Sequence, residues 1–238
     1  MDMIKEVMVD KGIGTKILKE GISNNGLSIY LALFSLELKN TRLIHINSIY
    51  YELTNDKNIS RQFKDNIKKG ILELDKKYID IISVSKDCYE INFNKMFEDE
   101  VVDVVQALES PFDNTTYEET NTISNYYTFV TISSIHLIYK LGGSNLIAYW
   151  FKLLNLINSL YVNYSLDDLA LLTDLSKGTI IKYNDFLVDC KAIYIHKHIH
   201  KYANTNKKLN NMYGLYENKD KIIELANNYL EENKSNIK

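Results

Sequence analysis

The sequence predicts a mainly α-helical α+β fold in which one plan is used twice, each copy ending in a short β-hairpin. Three observations predict it. Apolar residues recur at three- to four-residue spacing over several stretches, the mark of amphipathic helices. Short alternating runs rich in Ile and Tyr follow the last helix of each half. The two halves also present these elements in the same order, a repeat of pattern with little residue identity.

The first half opens with an extended piece at Val7–Val9 and a helix over about Leu27–Leu38. A short helix follows at Ile46–Leu53, with Ile46, Ile49, Tyr50 and Leu53 on one face. Ser60 is placed to cap a longer helix reaching Leu74, because a Ser hydroxyl accepts from an orphan amide of the first turn. Phe63, Ile67, Ile71 and Leu74 form its apolar stripe. The strand pair Tyr78–Val84 and Tyr89–Phe93 closes the half. In the second half Tyr127–Ile132 is extended and a helix runs over about Ser144–Leu160, with Ser144 as its cap after Gly142-Gly143. Ser165–Leu172 and Ser176–Asp189 are the next two helices, then a strand over Ala192–His200 and a return at Met212–Tyr216. A last helix over about Asp220–Glu232 carries Ile222, Ile223, Leu225, Ala226 and Leu230, and packs on the second half or pairs with another copy. Tyr30 and Tyr149 fall at equivalent places, as do Ile79 and Ile193. Tyr127, Tyr139, Tyr149, Trp150 and Phe151 are expected in core or at a dimer contact.

Length and composition bound the class. A chain of 238 residues with 45% hydrophobic and 25% charged residues can bury one large core or two small ones. It has no apolar run long enough to span a membrane and no signal-peptide layout. Cys88 and Cys190 are too few and too distant for a disulfide framework. A cytoplasmic protein without membrane partners is therefore expected.

Net charge is −3, but the charge is unevenly placed. Met96–Tyr139 holds no Lys or Arg and eight acids: Glu98, Asp99, Glu100, Asp103, Glu109, Asp113, Glu118 and Glu119. The remaining chain has 28 basic residues against 23 acidic ones, the 31 less these eight. Met96–Leu108 has helical spacing, and Ser110–Asn125 is polar and holds the single Pro. This divides the chain into a first domain over 1–108, an acidic and polar linker over 109–125, and a second domain over 126–238.

The chemistry concentrates in Tyr164–His198. Ser165 caps a helix whose first turn carries Asp167 and Asp168, where the positive end of the helix dipole favours acids. Leu166, Leu169, Ala170 and Leu172 give it an apolar side. Thr173-Asp174-Leu175 is too short a link to let the next helix do other than cross steeply. Ile180, Tyr183 or Asn184, and Leu187 turn inward on that next helix, and Lys177, Gly178, Thr179, Lys182 and Asp185 turn outward. This is the order of a winged helix-turn-helix. A helix docked in the major groove reads bases with residues near its N-terminus, so Lys177, Gly178, Thr179 and Lys182 are candidate DNA contacts. On the following strand Ile193, Ile195 and Ile199 lie on one side, and Tyr194, His196, His198 and His200 on the other. Lys197 and Lys201 belong to a wing over the phosphates, where Lys supplies affinity with little sequence information. In the first half Arg61, Gln62, Lys64 and Lys68 occupy the exposed side of the Ser60-capped helix. Arg can pair bidentately with guanine and Gln with adenine. The fold expected is thus two tandem winged helix-turn-helix domains.

The order of a helix with Ser28-Ile29-Tyr30, a short helix, a Ser-capped helix and a Tyr78-Ile79 strand, with the later Asn211-Met212-Tyr213-Gly214-Leu215-Tyr216, carries a resemblance. It resembles plasmid replication initiators and phage replisome-organiser proteins of low-GC Gram-positive bacteria. The likeness spans most of the chain and rests on order, not on a short motif. It implies a sequence-specific double-stranded-DNA-binding protein acting in replication initiation, a homodimer through one module, and replication proteins as partners. The same fold also serves transcriptional regulators and protein–protein adaptors, and both remain alternatives.

Enzymatic and cofactor chemistry finds little support. His196, His198 and His200 share a strand face at about 7 Å spacing, workable for two metal ligands and strained for three. Nothing near them in sequence completes a site, so no metal is expected; exposed wing histidines that gain charge as pH falls fit better. Leu141-Gly142-Gly143-Ser144 lacks the Lys-Ser/Thr of a phosphate loop. No nucleophile elbow or paired carboxylates in apolar surroundings occur. The chain is read as a non-enzyme without cofactors.

Overall fold

The computed structural model describes residues 6–10, 21–38, 43–93, 127–157, 160–203, 208–233 and 237. The fold is α+β, with two small antiparallel three-stranded sheets among the described residues. The expected linker, 109–125, and the helix expected over Met96–Leu108 lie outside them.

In the first half β1 (Glu6–Asp10) is followed by α1 (Asn24–Leu38), β2 (Leu43–His45), α2 (Ile46–Thr54), α3 (Arg61–Leu74), β3 (Ile79–Ser85) and β4 (Cys88–Phe93). Leu27, Ser28, Ile29, Tyr30, Leu31, Ala32 and Leu33 of α1 are all buried. A helix apolar on every side belongs in an interior, and α1 is central. Ser28 avoids an orphaned hydroxyl by donating to Asn24 O at 2.9 Å. Strand β2 pairs with β4, and β4 with β3.

The second half repeats the plan. After β5 (Tyr127–Thr131) come α4 (Ile132–Leu156), β6 (Tyr161–Tyr164), α5 (Leu166–Thr173), α6 (Lys177–Asp189), β7 (Ile193–His196) and β8 (Asn211–Leu215). A short 3-10 turn, Tyr216–Asn218, leads into α7 (Lys219–Glu232). Strand β6 pairs with β8, and β8 with β7, so each sheet has the order first, third, second strand. Local marks recur as well. The helix before each inter-helix link ends on a left-handed residue, Asn55 or Asp174, types that tolerate that region. The preceding Thr54 and Thr173 each turn their hydroxyl back to the carbonyl four residues earlier. Ser60 and Ser176 each accept an amide hydrogen bond from the third residue of the helix they cap. Lys76 and Lys191 are both left-handed in the turn before the hairpin.

Four elements differ from the sequence expectation. Helix α4 starts at Ile132, ahead of Ser144, and ends at Leu156; Gly143 interrupts it with φ +62° and ψ −158°, a conformation only glycine adopts easily. The break falls where the sequence places a helix start. Strands β2 and β6 were not anticipated, because three and four residues are too few for alternation to register. They form because each supplies the third strand of its sheet. Strand β7 stops at His196, well short of His200.

The halves share a core. Buried residues of α1, α2, α3, α4, α5, α6 and both sheets form one continuous cluster, from Leu27 to Tyr213. Helix α4 is the bridge: it packs on α1 and α2 of the first half and on α6 of the second. Tyr149, Trp150 and Phe151 lie in it and are buried, as expected of core aromatics. Asn24 Nδ2 donates to Asn145 Oδ1 at 2.7 Å across the junction, and the Phe63 and Tyr139 rings meet edge-on at 6.0 Å. Strands β1 and β5 add an antiparallel ribbon, Glu6 opposite Thr131 through Asp10 opposite Tyr127.

Helix α7 covers the other side of the second sheet, where Ile222 and Ala226 meet Met212, Tyr161 and Tyr194. The close fit depends on Gly214. A Cβ there would come within 2.4 Å of Leu160 O and 2.5 Å of Ile222 Cδ1. None of the described helices is long and apolar enough to cross a membrane.

Candidate nucleic-acid interface

The pair α5–α6 is built from the caps upward. Ser165 Oγ accepts from Asp168 N at 3.1 Å and Asp168 Oδ2 accepts from Ser165 N at 2.9 Å, a reciprocal capping box. Leu169 and Thr173 face inward; Leu172, expected on the apolar side, is exposed, as is Leu171 at 85%. On α6 Ile180, Asn184 and Leu187 are buried. Asn184 Oδ1 accepts from Tyr149 OH at 2.7 Å, which ties α6 to α4 inside the core. Burial pushes the Tyr149 hydroxyl far up, with the nearby Tyr213 adding to it and the Asn184 bond opposing it, so it stays a donor. Sequence spacing left Tyr183 and Asn184 as equal candidates for this inward position; the buried tyrosine hydroxyl is what requires the amide.

With α6 so oriented, Lys177, Gly178 and Lys182 are exposed and Thr179 half-buried. Lys177 pairs with Asp167 across the two helices, both side chains being largely in water. Such surface pairs contribute about 0–1 kcal/mol and exchange readily for another anion. The Thr179 hydroxyl lies 2.9 Å from Ser176 Oγ and serves the cap. Lys182 Nζ sits 5.6 Å from the centre of the Phe186 ring. Around Gly178 the space is open, so packing does not demand a glycine.

Beyond β7 the chain runs outward through Lys197, which is exposed, to Lys201, which bridges Lys208. This extension lies past the end of β6, since Tyr164 pairs with Asn211 and His196 with Met212. Along 193–203 and 208–215 it carries Lys197, Lys201 and Lys208 and no Asp or Glu.

The histidines depart from expectation. The alternation slips by one residue at Lys197, so that Ile199 is 82% exposed and His198 only 9%. His198 is therefore not an exposed wing histidine. It lines a cavity of about 120 Å³ with Tyr161, Asn163, Tyr202, Leu209, Asn210, Met212 and Tyr229. Its Nδ1 has no hydrogen-bond partner among the described residues. Burial, then the neighbouring His196 and His200, hold its pKa below the usual 6.5; burial does the same for His196. The His196 and His198 rings meet edge-on at 4.8 Å. Among the described residues no three His, Cys, Asp or Glu side chains are placed to hold a metal ion.

A pH dependence follows. As pH falls through 6.5 the unfolded chain protonates these imidazoles while the folded chain still resists, so stability decreases toward acid. The melting temperature is expected to be lower at about pH 5.5 than at about pH 7.5, and the difference to shrink in His198→Gln. An unchanged difference in the variant would assign the effect to other groups.

In the first half Arg61 and Gln62 stand exposed at the start of α3. Lys64 and Lys68, expected on the same solvated side, are engaged otherwise. Lys68 Nζ lies 2.8 Å and Lys64 Nζ 3.6 Å from the carboxylate of Asp87, in the turn between β3 and β4. The hydrogen bond from Lys68 holds Asp87 below the usual carboxylate range, and Asp87 in turn raises Lys68. Sequence reading missed Asp87 because the contact links residues 19 and 23 positions apart with no local pattern between them.

Compared with family models, characterised proteins and solved structures, the chain matches none.

Proposed function

We propose that this protein is a sequence-specific double-stranded-DNA-binding protein built from two tandem winged helix-turn-helix modules, acting as a plasmid or phage replication initiator. The observation that carries the reading is the repeated order helix, strand, helix, helix, strand, strand, with the same strand order in both sheets. In each copy a Ser-capped helix exposes polar side chains toward its N-terminal end, Lys177 and Lys182 in one, with Gly178 and the half-buried Thr179 between them, and Arg61 and Gln62 in the other. Helices in this setting read major-groove edges near their N-termini. The basic extension after β7 would lie along phosphates, as a wing does. The initiator role comes from the resemblance of element order, and a transcriptional regulator would use the same surface.

A protein–protein adaptor is the second reading, favoured by Leu171, Leu172 and Ile181, which are exposed on the same helix pair. Fluorescence anisotropy with random and AT-rich duplexes at about 0.1 M salt separates the two. Binding at or below micromolar protein is expected. No binding to either duplex would exclude the DNA reading and leave the adaptor.

A further inference from the structure

The two hairpins end in opposite ways. The second projects beyond its neighbouring strand and carries Lys197, Lys201 and Lys208. The first is closed by Lys86-Asp87 level with the end of β2, where Cys88 pairs with His45. Asp87 is fixed there from both sides: its carbonyl accepts from Ile46 N at 3.0 Å, at the start of α2, and its carboxylate reaches α3. One carboxylate faces two ammonium groups, and all three side chains are only a quarter to a third exposed. The pair on Lys177 joins one acid to one base, and both are largely in water.

We propose that Asp87 is a specificity-determining residue, which rests on the DNA-binding reading above. Its carboxylate occupies the place of a DNA phosphate on Lys64 and Lys68. The first module thereby loses two lysines from its sequence-independent affinity. It contributes to binding chiefly through Arg61 and Gln62, which Asp87 does not touch and which discriminate bases. The second module, with no acid on its described hairpin, supplies the phosphate affinity.

The test uses the full chain and a random-sequence 30-base-pair duplex of roughly three helical turns. Salt-dependent anisotropy is measured for wild type, Asp87→Asn and, as a second variant, Asp87→Ser. Freed lysines that engage one further phosphate should tighten binding by roughly tenfold and steepen the salt slope by about 0.9. That gain should vanish when Lys64→Ala and Lys68→Ala are added to Asp87→Asn. Unchanged affinity and slope in both Asp87 variants, with Lys177→Ala still weakening binding, would overturn the role of Asp87 and leave the DNA reading intact. Failure of the wild-type chain to bind any duplex would overturn the DNA reading and this inference together.

Discussion

Replacing both Lys177 and Lys182 by Ala is expected to weaken duplex binding by roughly 30- to 100-fold near 0.1 M salt, with the salt slope shallower by about two. Both side chains are exposed on α6, and neither supports the core. Loss of the Lys177–Asp167 surface pair should change stability by no more than about 1 kcal/mol. Thermal melts of the double variant should therefore overlay those of wild type, so that any loss of binding reports contact and not unfolding. Sequence-independent weakening would mark the two lysines as phosphate contacts. Weakening confined to one duplex sequence would mark at least one as a base contact. An unchanged slope would remove α6 from the interface.

The largest structural effect is expected at Trp150. It is 2% exposed in α4, the helix shared by the two halves. Trp150→Ala should cost about 3–5 kcal/mol by cavity formation. Because the core is continuous, both halves should melt in one transition at a lower temperature, followed by circular dichroism. Two separated transitions would mean that α4 does not couple the halves. Trp150→Phe should cost much less than the Ala variant. The indole N–H is buried with no hydrogen-bond partner among the described residues, and removing such an orphan offsets part of the lost volume.

Much of this fold was legible in local chemistry. Ser60, Ser165 and Ser176 announce helix starts because an N-cap must satisfy orphan amides within three residues, a requirement written in adjacent sequence. The inward positions of Ile67, Ile71, Ile180 and Leu187 follow from helical spacing in the same way. What was not legible depends on distant partners. Leu43–His45 and Tyr161–Tyr164 are strands only because β4 and β8 offer free edges. The phase slip at Lys197 that buries His198 has no signal within its own run of alternating Ile and His. The engagement of Lys64 and Lys68 depends on a hairpin of such length that Asp87 arrives beside them. The exposed candidates Arg61, Gln62, Lys177, Gly178 and Lys182 were placed by amphipathic phase alone, which is why they fall on open surface as expected.

The ribbon between β1 and β5 has a consequence for biosynthesis. Glu6–Asp10 is made more than a hundred residues before its pairing partner Tyr127–Thr131. At ordinary translation speeds of about 5–20 residues per second, the first strand waits roughly 6–24 s with its edge open. Helix α1, apolar on every side, must wait as well for α4 to cover it. The nascent first half would therefore hold unprotected surface for seconds, which makes it a natural client for a ribosome-associated chaperone and ties its folding to the synthesis of β5 and α4.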